Sequence, residues 1–149
     1  MKVGKDVTGI GTGVLIINDE NKILMGLRSS DPEKADSELK GEGTWTLPGG
    51  KMDFLESPIE CAKRETKEET DIDVKNLKLI SVSDDKIPKA HFITLGFLCV
   101  EFEGEPKTME PEEITEWKWF NMDSLPERIF SPSKKIIKNY LSKKIYSDN

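Results

Sequence analysis

The chain reads as one α/β domain spanning residues 1–149, a mixed sheet held between helices. Three observations predict this class. Short apolar runs bounded by turn residues recur along the chain, a strongly signalled helix stands in its middle, and an amphipathic helix closes it. The length suits a single domain with a proper core, and no repeat, low-complexity tract or composition break divides it.

The elements follow in order. Ile10 to Asn18, IGTGVLIIN, reads as a buried strand whose glycines mark a close backbone approach. Asp19-Glu20-Asn21 is a turn, and Lys22 to Arg28, KILMGLR, is the second strand of a hairpin. Residues 29–43 are polar and aperiodic and read as a long loop. Thr44 to Leu47 is a short strand stopped by Pro48-Gly49-Gly50. Ser57 then caps a helix, Pro58 takes its first position, and Glu60 completes a capping box. That helix runs to about Thr70, with Asp71 just past its end and Ile59, Ala62 and Thr66 as its inner face. Asn76 to Ser83, His91 to Phe102 and Glu116 to Phe120 are further strands, the middle one apolar enough to lie inside a sheet. Ser131 to Tyr146 is the closing helix, with Ile136, Ile137, Tyr140 and Leu141 as its apolar stripe and its lysines as a solvated face.

Composition narrows the function. Lys and Arg number 22 against 28 Asp and Glu, a net charge of −6. Such a surface argues against DNA as a partner, and an anionic substrate would need a local cationic site. Two cysteines, Cys61 and Cys99, are too few for a disulfide framework and read as buried thiols in a reducing cytosol. The N-terminus has no apolar signal core and no run reaches membrane-span length, so a cytoplasmic protein with no membrane partner is expected.

Chemistry concentrates between Gly50 and Ile72. On a helix Glu65, Glu68 and Glu69 stand at i, i+3 and i+4 and share one face, opposite Ile59, Ala62 and Thr66, so the acids are expected to point outward. Arg64 lies four residues from both Glu60 and Glu68 and can brace either. A bare E-x-x-E-E is most simply a solvated face. Two features point further: Glu65 and Glu69 repel at i, i+4, and the Pro48-Gly49-Gly50 turn can approach a ligand closely and offer a carbonyl. Hard oxygen donors of this kind suit Mg²⁺ or Mn²⁺ together with substrate phosphates.

The wider spacing is Gly50, five residues, Glu56, seven residues, Arg64-Glu65, two residues, Glu68-Glu69. It resembles the signature box of the Nudix hydrolases, which cleave nucleoside diphosphates linked to a further group. Leu47 to Gly50 resembles the family's lead-in, and Glu116 to Phe120 followed by Asp123-Ser124-Leu125-Pro126 resembles its downstream strand. Three departures stand out: Thr66 for a large aliphatic residue, Asp71 for glycine, and Leu55 for glycine.

The resemblance implies a Nudix-type α/β/α sandwich with a mixed central sheet. Glu65, Glu68 and Glu69 would hold Mg²⁺, or Mn²⁺, helped by the Gly49 carbonyl, Glu56 and a loop acid, Glu113 or its neighbour Glu112. Glu65 or Glu69 would assist the attacking water, and Arg64 would orient the acids. The box resembles most the mutator-type branch, which converts nucleoside triphosphates, oxidised ones included, to monophosphate and pyrophosphate. ADP-ribose or nucleotide-sugar hydrolysis is the second expectation, and a non-hydrolytic nucleotide sensor the third. Outside the box, Arg28 is a phosphate contact or an ordinary surface arginine, and Trp45 and Phe54 are base-stacking residues or, for Trp45, core. Phe92, Trp117 and the single histidine, His91, carry the same ambiguity. The substrate is a small nucleotide, and the protein a monomer or homodimer.

Overall fold

The computed structural model describes residues 6–35, 39 and 41–147. The expectations for residues 1–5, 36–38 and 40, parts of the N-terminus and of the long loop, lie outside the described residues.

In chain order the elements are β1 (Gly9–Ile16), β2 (Lys22–Arg28), α1 (Pro32–Ala35), β3 (Trp45–Thr46), β4 (Gly49–Lys51), α2 (Pro58–Thr70), β5 (Asp73–Lys75), β6 (Lys78–Ile87), β7 (Ala90–Cys99), β8 (Glu101–Glu103), β9 (Ile114–Asn121) and α3 (Ser131–Ser142). A mixed sheet runs β4-β1-β7-β6, with β1 and β7 parallel and the outer pairs antiparallel. A second sheet runs β3-β2-β9, and β5 pairs with β8.

Strand alternation divides the core into two layers. Val14 and Ile16 of β1 join Phe97, Cys99 and Ala62 of α2 on one side. Leu15 and Ile17 join Ile136 and Ile137 of α3 on the other. Strand β2 repeats the pattern, Leu24 facing the first layer and Ile23 and Met25 the second. The sheet is thus held between α2 and α3, as the sequence predicts.

Several boundaries differ for physical reasons. The expected hairpin of the first two strands survives only as the bridge Ile17–Ile23, because β1 recruits β4 and β7 while β2 recruits β3 and β9. The apolar run from His91 to Phe102 is interior as expected, but it splits at Val100, where β8 leaves to pair with β5. Strand β6 starts at Lys78 and continues through the polar Asp84-Asp85-Lys86, which β7 zips into its ladder. A single helical turn, α1, interrupts the long loop, with the Asp31 side chain accepting from the Glu33 amide.

Helix α2 matches its sequence signals. Ser57 and Glu60 form the capping box, and Asp71 closes the helix in a left-handed conformation with φ 63°. Its buried residues are Cys61, Ala62, Thr66 and Thr70, whereas Ile59 is exposed. Leu55 adopts φ 68°, so the loop keeps a left-handed turn without the family's glycine. Helix α3 stops at Ser142 rather than Tyr146. Lys143 turns left-handed there, and the chain folds back so that Ile145 accepts from the Val82 amide and the Asn139 side chain. Leu141 is therefore exposed and Asn139 buried in its place. Cys61 and Cys99 are buried free thiols.

Candidate active site

The loop Pro48 to Lys51 crosses β1, which places its backbone directly under α2. The Pro48 carbonyl accepts from the Val14 amide at 2.8 Å, and Gly49 and Gly50 pair with Gly13 and Thr12. Gly49 has φ 153°, and a Cβ there would collide with the Thr12 carbonyl. A Cβ on Gly50 would collide with the Glu65 carboxylate. Gly49 is needed because β1 lies against this backbone, and Gly50 because the Glu65 carboxylate does.

Glu65 and Glu69 therefore face the sheet edge and are half-buried, in contrast to the expected outward face. Glu69 Oε1 accepts from the Gly49 amide at 3.0 Å. Glu68 is the exposed member of the trio. All three line a cavity of about 310 Å³ together with Gly49, Gly50, Lys51, Glu110 and Glu113. The same cavity is also lined by Arg28, Ala35, Leu39, Phe92, Ile114 and Phe130.

Arg64 ties the carboxylates together from outside the cavity wall. Its Nε and Nη2 donate to Glu56 at 2.6 and 3.0 Å, and Nη1 donates to Glu65 at 2.9 Å and to Glu68 Oε2 at 3.3 Å. Nη2 also donates to the Lys51 carbonyl at 3.2 Å. Glu60, one of the two expected partners, is instead consumed by the capping box. The hydrogen bonds from Arg64, with the Asp53 amide, hold the Glu56 carboxyl down at about 2.

The cavity acids shift the other way. Burial pushes Glu65 up to about 7 against the pull of Arg64, with Glu68 and Glu110 adding repulsion. Burial also raises Glu69 well above the usual carboxylate range, opposed by the Gly49 amide and reinforced by Glu65, Glu110 and Glu113. Glu110 is raised by burial and then by Glu113 and Glu68.

These acids fit a hard divalent cation by donor type: five carboxylates share one cavity, and those turned inward resist ionisation because they are buried and repel one another. Among the described residues no three acids already stand at ligand spacing around one point. The exposed Glu68 and the loop acids would have to turn inward to complete a shell.

The remaining sequence-predicted residues fall in different places. Glu113 and Arg28 line the cavity, as does Phe92. Glu56 and Arg64 stand behind the carboxylates rather than in the wall. Trp45 packs edge-on against Phe120, with ring centroids 4.8 Å apart, in the α3-side core. Phe54 is 92% exposed and outside the cavity lining. Glu110 escapes the sequence reading. Its signal is the Glu110–Glu113 spacing on one turn, closed by the Glu113 amide donating to the Glu110 carbonyl.

Cavity, glycine crossing and acidic helix define a phosphoanhydride-cleaving class, and comparison with known proteins agrees. The chain belongs to the NUDIX family, whose domain model matches residues 7–140. It is a pyrophosphohydrolase acting on a nucleoside diphosphate-linked substrate, in a family that typically uses a divalent metal. The chain is 34% identical over 128 residues to an ADP-ribose pyrophosphatase of Methanocaldococcus jannaschii, covering 85% of this chain and 69% of that protein. It is 28% identical to an RNA pyrophosphohydrolase of Bartonella quintana, covering 87% and 86%. It is 32% identical to the 8-oxo-dGTP diphosphatase of Escherichia coli, covering 75% and 83%. A MutT NUDIX hydrolase structure from Burkholderia pseudomallei superposes with TM-score 0.79 at 29% identity, covering 90% and 98%. No helix among the described residues is long and apolar enough to cross a membrane.

Proposed function

We propose that the protein hydrolyses nucleoside triphosphates, deoxy and oxidised forms included, to the monophosphate and pyrophosphate. One observation carries the reading: a single cavity of about 310 Å³ is lined both by carboxylates and by Phe92, Ile114 and Phe130. That combination suits a phosphate chain at the acids and a planar base against the aromatic side chains. The likeness to the MutT structure and to the 8-oxo-dGTP diphosphatase supports it.

Glu65, Glu68, Glu69 and Glu113, with the Gly49 carbonyl, are assigned to Mg²⁺ binding, and Glu110 joins them from the structure. Glu56 serves the set by fixing Arg64, and Arg64 fixes Glu65 and Glu68. When bound, Mg²⁺ supplies Lewis acidity and neutralises phosphate charge. Glu69, held by the Gly49 amide and pushed toward proton affinity by burial, accepts the proton of the attacking water. The water oxygen ends on one product as the bond to the leaving phosphate breaks. Lys51 also lines the cavity.

The second reading is ADP-ribose hydrolysis, favoured by the 34% identity to the archaeal pyrophosphatase. The test is a Mg²⁺-dependent turnover panel over triphosphates, ADP-ribose, dinucleotides and nucleotide sugars. Triphosphate turnover at the highest kcat/KM is the expected result. Turnover of ADP-ribose with none of any triphosphate would replace the first reading by the second.

A further inference from the structure

One part of the cavity wall is built around a cation, Arg28. It ends β2, is 9% exposed, and lines the cavity. Its Nε donates to the Gly41 carbonyl at 3.0 Å and its Nη2 to the Ala35 carbonyl at 2.6 Å. Its guanidinium lies over the Phe130 ring, 4.4 Å from the centroid. Two of its donor nitrogens and one π-face thus engage protein groups.

Those groups belong to separate parts of the fold, and Ala35 and Phe130 line the cavity. Ala35 ends α1, Gly41 lies just before β3, and Phe130 is the residue before α3. The Phe130 segment is itself fixed, since its amide donates to the Trp45 carbonyl at 2.8 Å and the Trp45 amide donates to the Arg128 carbonyl at 2.8 Å. Gly41 is wedged into the junction. A Cβ there would collide with the Phe130 ring and come within 2.9 Å of Arg28 Nε. The Gly41 carbonyl also accepts from the Thr44 hydroxyl at 2.5 Å and the Thr44 amide at 3.2 Å.

We infer that Arg28 is a positioning residue that sets substrate discrimination. It ties α1 and the Gly41 turn to the segment entering α3, and so fixes the width of the base-side wall. The inference rests on the pyrophosphohydrolase reading and replaces direct phosphate contact as the role of Arg28. A planar fork can span two carbonyls while stacking on a ring, whereas an ammonium keeps the charge and loses both properties.

This difference gives the test. Arg28→Lys, Arg28→Ala and Gly41→Ala are compared with wild type for kcat and KM over the turnover panel. Melting curves confirm folding, and Thr44→Val is a milder probe of the same carbonyl should Gly41→Ala not fold. The wild-type panel alone decides the substrate reading, and the variants are scored on whichever compound wild type prefers. The tie predicts that Arg28→Lys and Gly41→Ala both raise KM for that compound by about tenfold and flatten the preference, with kcat within about threefold. Thr44→Val should move the same way by a smaller factor. Wild-type KM and preference in Arg28→Lys, with loss in Arg28→Ala, would show that charge alone suffices and overturn the inference. An unchanged Gly41→Ala, or an unchanged Thr44→Val if that variant stands in, beside a defective Arg28→Lys would overturn it too, because the guanidinium would then act on substrate directly.

Discussion

Two parts of the cavity wall are made differently. Glu65, Glu68 and Glu69 come from one stretch, Gly49 to Glu69, in which a glycine turn lies under a capped helix and Arg64 gathers three acids, and only Glu110 and Glu113 are added from the loop before β9. The wall around Arg28 is assembled from residues of β2, α1, β7, β9 and the entry to α3. The first part is chemically demanding, since hard donors must converge within ångströms on a mostly local scaffold. The second is a shaped wall whose width depends on long-range ties. One fold can keep the first part and vary the second, which is how a fixed bond-cutting chemistry meets different substrates.

The largest expected effect is at the carboxylates. Glu69→Gln should lower kcat by ~10²–10⁴, the range for loss of a proton-accepting group. It should not lower metal-free stability, because the amide still accepts from Gly49 and a half-buried charge is removed. Steady-state kinetics and melts in EDTA check both halves. Glu68→Gln, at the exposed acid, should act through Mg²⁺ affinity, by ~10–100-fold, read from the Mg²⁺ concentration for half-maximal rate.

The same acids make metal-free stability depend on pH. Glu65 is raised from 4.5 to about 7, so the folded state binds more protons than the unfolded state in that interval and stability falls as pH rises through it. Glu56 is lowered to about 2, so its contribution is present above 4.5 and is lost as pH falls toward 2. Melting temperature in EDTA should therefore drop on both sides of about pH 4.5, and Glu65→Gln should make the upper limb shallower, with Glu69 and Glu110 still contributing, and leave the lower limb unchanged.

Arg64→Gln breaks the tie behind the acids. Hydrogen bonds to charged groups are worth ~1.5–3 kcal/mol, so a loss of about 2 kcal/mol in denaturant unfolding is expected, along with weaker Mg²⁺ dependence. Thr66→Val moves in the opposite direction. The Thr66 hydroxyl is fully buried in α2 with no hydrogen-bond partner among the described residues, so its removal should stabilise the protein by about 1 kcal/mol without changing KM. The smallest effect belongs to Phe54→Ala. An exposed side chain outside the cavity should change stability by less than ~0.5 kcal/mol and KM by less than about twofold. A tenfold rise in KM would return Phe54 to the substrate.

The sequence is most legible where signals are local. Ser57, Pro58, Glu60 and Asp71 delimit α2 to the residue because capping is a short-range interaction. The apolar runs of β1 and β7 correctly indicate an interior position. The direction of the acids is not local. Spacing puts Glu65 and Glu69 on one face, but only the glycine crossing beneath them shows that this face is turned inward. The polar half of β6 and the departure of β8 depend on strand partners, which periodicity does not report. Glu110 and the Arg28 junction stayed hidden because their partners lie far away in sequence, or look like loop until the fold joins them.

The most direct test of the central claim follows products by ³¹P NMR for wild type and Glu69→Gln with a nucleoside triphosphate and Mg²⁺. The account predicts monophosphate and pyrophosphate in equal amounts from wild type, with formation all but abolished in the variant. Diphosphate and orthophosphate as products, or a Glu69→Gln enzyme as fast as wild type, would contradict it.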